Sequence, residues 1–85
     1  GSYILVEGAR NLSGEPVIEV CREEGGRMAA IGRAKPGKYG AGKLAAQILS
    51  QDEGNPIVAG DWVRMIPGAP DGEPDIDYYF MSRRN

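Results

Sequence analysis

Gly37, Gly42 and Lys43 stand at the spacing of the phosphate-cradling loop Gly-x4-Gly-Lys. That loop continues with a Ser or Thr hydroxyl for magnesium, and Leu44 occupies the position here. No acid is placed as a second magnesium ligand, and the chain is too short for the parallel sheet that carries such loops. Nucleotide chemistry is therefore not expected. What the segment keeps is charge: Arg27, Arg33, Lys35, Lys38 and Lys43 fall between residues 27 and 43 with no acid among them. Lys38 and Lys43 flanking the free N–H groups of a helix start would attract anions in general.

The second half carries the opposite sign. Asp52, Glu53, Asp61, Asp71, Glu73, Asp75 and Asp77 face Arg64 alone, so a net charge of −2 conceals a bipolar chain. Asp71, Glu73, Asp75 and Asp77 alternate, and on an extended backbone they would project from one face at intervals of about 6.6 to 6.8 Å. Successive phosphates of a nucleic-acid strand have a comparable spacing, so this acidic run could imitate DNA.

Catalytic chemistry has little to work with. The chain has no histidine and one cysteine, Cys21, and shows no Ser-Lys pair or metal-ligand spacing. The expectation is a protein that is not an enzyme and has no cofactor or metal. A lone cysteine rules out an intramolecular disulfide and suits a reducing cytoplasm, and Cys21 reads as a small strand residue. No apolar run approaches the about 18 residues of a membrane span. Gly1-Ser2 in place of an initiator methionine reads as an expression remnant.

Thirteen glycines and six prolines in 85 residues imply a single small domain, 1–85, with many turns. Residues 3–7 and 17–22 read as strands, Glu24-Gly25-Gly26-Arg27 as a tight hairpin turn, and 28–34 as the returning strand. Ala41, Leu44, Ala45, Ile48 and Leu49 fall at i, i+3, i+4, i+7 and i+8, the spacing of an amphipathic helix that Gly54-Asn55-Pro56 would end. Strands follow at 57–67 and 76–82. The predicted class is α+β in the order β-β-β-α-β-β: an antiparallel sheet of about five strands with one helix packed on one face. Trp62 is expected to pack in the sheet or core.

Three resemblances rest on particular residues. The hairpin, the basic loop and the Lys43, Ala45-Ala46 segment resemble the latter half of a double-stranded-RNA-binding domain, which implies phosphate contact at the helix start; that family's preceding and closing helices have no counterpart here. Gly60-Asp61-Trp62-Val63-Arg64-Met65-Ile66-Pro67-Gly68 is similar to the Gly-Asp-x-Val turn and strand of small KOW-type barrels. Residues 17–67 as a unit resemble small phage-encoded anti-CRISPR proteins directed against type I complexes. The matching residues are Val20-Cys21-Arg22, Gly26-Arg27-Met28, Gly32-Arg33-Ala34-Lys35, Gly40-Ala41, Gly54-Asn55-Pro56 and Met65-Ile66-Pro67.

This last resemblance implies a non-catalytic inhibitor that binds a type I effector subunit or its nuclease-helicase in the bacterial cytoplasm. Arg33, Lys35 and Lys38 would serve as a protein-docking patch, and Asp71, Glu73, Asp75 and Asp77 as the DNA-mimicking one. Alternatives are a nucleic-acid or phosphate-binding module using Arg33, Lys35, Lys38 and Lys43, and a structural or assembly subunit of a phage.

Overall fold

The computed structural model describes residues 2–9, 15–68 and 77–85. The turn expected around 11–14 and the acidic residues Asp71, Glu73 and Asp75 lie outside them. Six strands are present: β1 (Tyr3–Glu7), β2 (Val17–Glu24), β3 (Arg27–Gly40), β4 (Lys43–Gln51), β5 (Trp62–Ile66) and β6 (Tyr79–Arg84). They close into an antiparallel barrel in the order β1-β4-β3-β2-β5-β6, with β6 pairing back onto β1. The α+β expectation is overturned: no helix occurs among the described residues.

The correction falls on residues 41–51. Lys43 to Gln51 is strand β4, hydrogen-bonded to β1 on one side and β3 on the other. Leu44 and Ala46 point into the barrel, whereas Leu49, counted in the helical stripe, is 57% exposed. The residues preceding it form no helix N-terminus. Tyr39 pairs with Leu44 and Gly40 with Lys43, leaving Ala41 and Gly42 as a two-residue hairpin turn with φ of 53° and 72°. Two successive positive φ values define the type I′ turn that suits the twist of a hairpin. The same turn, with Gly25 and Gly26 at 57° and 78°, joins β2 to β3 as expected.

Ala41 carries a Cβ in a conformation that disfavours one. Ala41→Asn installs the preferred Asn-Gly pair and is expected to stabilise by about 1 kcal/mol, raising Tm by about 4 to 8 °C in a domain of this size. A thermal scan showing no gain would remove the turn assignment.

Each strand alternates. Ile4 and Val6, Ile18 and Val20, and Val63 and Met65 point inward on β1, β2 and β5, while Glu7, Glu19, Trp62 and Arg64 lie at the intervening positions. Bulges bend the long third strand to close the barrel. The β2–β3 register steps from Val20↔Gly32 to Cys21↔Ala30, so the extra residue, Ile31, turns into the core. Beyond Ala34, β3 pairs only with β4, which is where Pro36, lacking an N–H, is accommodated.

One end of the barrel is plugged by Ile57, fully buried on the loop between β4 and β5. A polar frame holds that loop. Arg22 donates from Nε and Nη2 to the two carboxylate oxygens of Asp61, each at 2.9 Å, and from Nη2 to the Pro56 carbonyl. Val58 N–H donates to Asp61 Oδ2, and Ile57 N–H and Arg84 Nη1 both donate to Gln51 Oε1. Asp61 is itself buried, and its hydrogen bond is the main cause that raises the pKa of Arg22 above the usual guanidinium value. The Gly60-Asp61 turn noted in the sequence thus exists, with Gly60 at φ 98°.

Candidate binding surface

Barrel closure places the cations on the outside. Arg33 and Lys35 alternate with buried Ala34 on β3 and are exposed. Arg33 lies opposite Glu19 of β2, and Glu19 opposite Arg64 of β5, so three charges form a row across three strands. Arg33, Lys35 and Lys38 make no ion pair with any described residue. Lys43 differs: its Nζ is 3.7 Å from Glu7 Oε1, across the β1–β4 ladder. The four basic residues therefore do not form one anion cradle at a helix start. They are strung along a β-ribbon, and Lys43 is already answered by Glu7.

The neighbouring row is aromatic. Cys21 of β2 stands opposite Trp62 of β5, and Trp62 opposite Phe80 of β6. The Trp62 and Phe80 rings meet edge to face, with centroids 5.7 Å apart and planes at 69°. Trp62 is partly buried on the outer surface, where it packs on the sheet, one of the two placements expected for it. Phe80 is 44% exposed and Tyr78, two residues earlier, 37%. Of the acidic run only Asp77 is described, exposed and next to Tyr78.

Cys21 is buried beneath this face, its Sγ 3.8 Å from Glu19 Oε1. Burial first, and the Glu19 charge second, push its thiol pKa up to about 11, so it keeps its proton at neutral pH and is a poor nucleophile. Arg64 is half-buried, and its Nε is enclosed without a hydrogen-bond partner among the described residues.

Sequence reasoning missed Tyr78, Phe80, Arg64 and Glu19 as surface groups. Their signal is the alternation of Trp62 and Arg64 with Val63 and Met65, which sorts faces once the segment is known to be a strand.

Elsewhere, β1 and β4 border a shallow recess of about 170 Å³ lined by Tyr3, Ile4, Leu5, Ala45, Arg83 and Asn85. Among the described residues no three His, Cys, Asp or Glu groups are placed to hold a metal ion, and no helix is long and apolar enough to cross a membrane. Compared with known proteins, the chain matches no family model, no curated protein and no solved structure.

Proposed function

We propose that the protein is a non-catalytic nucleic-acid-binding domain that uses the outer surface running from β3 through β2 and β5 to β6, half-way around the barrel. The observation that carries this reading is the set of exposed cations that make no ion pair among the described residues, Arg33, Lys35 and Lys38 on β3, two strands from Arg64 on β5. Unpaired cations gain most from phosphate, since binding releases counterions without first breaking a protein ion pair. Glu19 sits between Arg33 and Arg64, so that row carries one net positive charge.

Binding of a fluorescent oligonucleotide should weaken steeply with salt. The double variant Arg33→Glu, Lys35→Glu should reduce affinity and flatten the logarithmic salt slope by about 0.7 for each phosphate it no longer neutralises. Glu19→Gln should tighten binding. Salt-insensitive association, or equal affinity in the charge-reversed variant, removes this reading.

A second reading, the inhibitor of a type I CRISPR effector, draws on a different surface. Tyr3 on β1 is 48% exposed and lines the recess with Ala45, and Leu49, further along β4, is 57% exposed. Exposed apolar groups of this kind suit a protein partner better than a phosphate backbone. The Gly40-Ala41 part of that resemblance, expected to open a helix, is a hairpin turn. Pull-down of assembled type I effectors or their nuclease-helicase, abolished by Leu49→Glu, is its expected result. Unimpaired interference in cells expressing the protein counts against it.

A further inference from the structure

We infer that the nucleic acid taken by this face is single-stranded, and that Phe80 and Tyr78 stack successive bases. The inference rests on the reading just proposed and goes further by naming the strandedness, the base contacts and the length of the site.

Phe80 and Tyr78 are two residues apart where the chain enters β6, and both are exposed. In extended backbone that separation is about 6.8 Å, with both side chains on one face. Bases within a duplex strand are 3.4 Å apart and cover each other's faces. Two aromatic platforms at about twice that distance can each take a base only when the strand is unstacked and stretched. Trp62 supports the arrangement from β5, with its ring set edge to face against Phe80. Buried Cys21, its neighbour across the β2–β5 ladder, closes the space behind Trp62. Phe80 is therefore braced from the side and open to solvent.

The cations give the strand its path. Arg64 is on β5, one strand from Phe80, and its side chain is partly exposed. Arg33 and Lys35 are on β3, three strands from β6 in a ring of six and therefore across the barrel from it. A strand that reaches both must wrap half the circumference, at least about 14 Å along the sheet and more at the outer surface. The site therefore holds more than about four nucleotides, within the range of barrel domains that bind single strands.

The test uses the full chain and oligothymidylates of one to eight nucleotides, with a duplex of matched length. Affinity should keep rising beyond about four nucleotides before it levels off, Trp62 fluorescence should be quenched on binding, and the duplex should bind at least tenfold more weakly. Phe80→Ala and Tyr78→Ala should each weaken binding by about fivefold or more. Phe80→Trp should retain it, and Phe80→Leu, which keeps apolar volume without a π face, should not. Thermal unfolding of each variant separates a missing stacking surface from a missing fold, and the wild-type length series and quenching stand without any variant.

Equal duplex and single-strand affinity, or indifference to Phe80→Leu and Tyr78→Ala while Arg33→Glu, Lys35→Glu still weakens binding, overturns the stacking inference and leaves the charge-based reading intact. Absence of salt-dependent binding to any oligonucleotide overturns both, as does association with a protein partner that Phe80→Leu and the charge reversal do not affect.

Discussion

Gly32→Ala should cost the domain about 3 kcal/mol or more, lowering Tm by at least about 12 °C. Gly32 lies on β3 beside the bulge at Ile31, where β4 and the Ile57 plug converge on its backbone. A Cβ there would stand 2.5 Å from the Ser50 carbonyl oxygen, 2.8 Å from Ile57 Cδ1 and 3.2 Å from the Gln51 Cα. Two of these three are backbone atoms held in the β3–β4 ladder, so relief requires separating the strands or expelling the plug. Overpacking against movable side chains is usually milder. The cause can be checked by a second change. Ile57→Val alone should cost about 1 kcal/mol for the lost methylene, but less in the Gly32→Ala background, where removing Cδ1 relieves one clash. Chemical denaturation of the four proteins gives the coupling. Additive effects, or a Gly32→Ala variant as stable as the parent, would show that this end of the barrel is not packed around Ile57.

The second large effect is expected at Asp61. Asp61→Ala removes the acceptor of two Arg22 donors and of the Val58 N–H in one step, leaving a cation and an amide to find new partners in a half-closed space. Removing one member of a buried, hydrogen-bonded ion pair costs about 3 to 5 kcal/mol. The upper part of that range is not expected here, because the Arg22 side chain is 26% exposed and water can reach it. Asp61→Asn keeps the volume and one acceptor oxygen and should lose roughly half as much. Urea midpoints report the order, parent above Asn above Ala. The loop between β4 and β5 should also exchange its amides faster in the Ala variant, since Asp61, with Gln51, anchors it. Equal stability of all three proteins would place the loop's anchorage elsewhere.

Both sites show what the sequence could and could not disclose. The strands expected at 3–7 and 17–22, the second of which runs on to Glu24, the Gly25-Gly26 hairpin and the Gly60-Asp61 turn are legible because alternation and turn chemistry agree there. Residues 41–51 are not, because Leu44, Ala45, Ile48 and Leu49 satisfy the helical period while Leu44, Ala46 and Ile48 satisfy the strand period equally well. Four alanines between residues 34 and 46 then favour the helix on intrinsic propensity. What overrides propensity is non-local: β4 is held on both flanks, and Ala46 is small enough to fill the barrel interior opposite Pro36 and Ile4. Ala41-Gly42 also lacks the Asn or Asp that would have announced a two-residue turn.

The candidate surface was partly legible for the same reason. Arg33, Lys35 and Lys38 stand out by charge alone and are exposed as expected. Lys43 stands out equally and is paired, because its opposite number, Glu7, is distant in sequence and adjacent only across the β1–β4 ladder. Tyr78, Phe80 and Arg64 carry no motif. They become a surface only when β5 and β6 are laid side by side.

The pairing of β1 with β6 has a kinetic side. Ile4 sits opposite Arg84, and the Asn85 N–H bonds the Tyr3 carbonyl at 2.9 Å, so the ring of strands is sealed by residues about eighty positions apart. No local ribbon can complete this wall. The two I′ hairpins can form within microseconds, but the polar frame at Asp61 must close a separation of 39 residues and the ring closure must wait for a search over nearly the whole chain. Assembly is thus expected on the millisecond-to-second scale of non-local β topologies, with β5 and β6 the last to dock. The surface proposed to meet nucleic acid is complete only once β5 and β6 have docked, although its cations on β3 are already in place in the earlier hairpin.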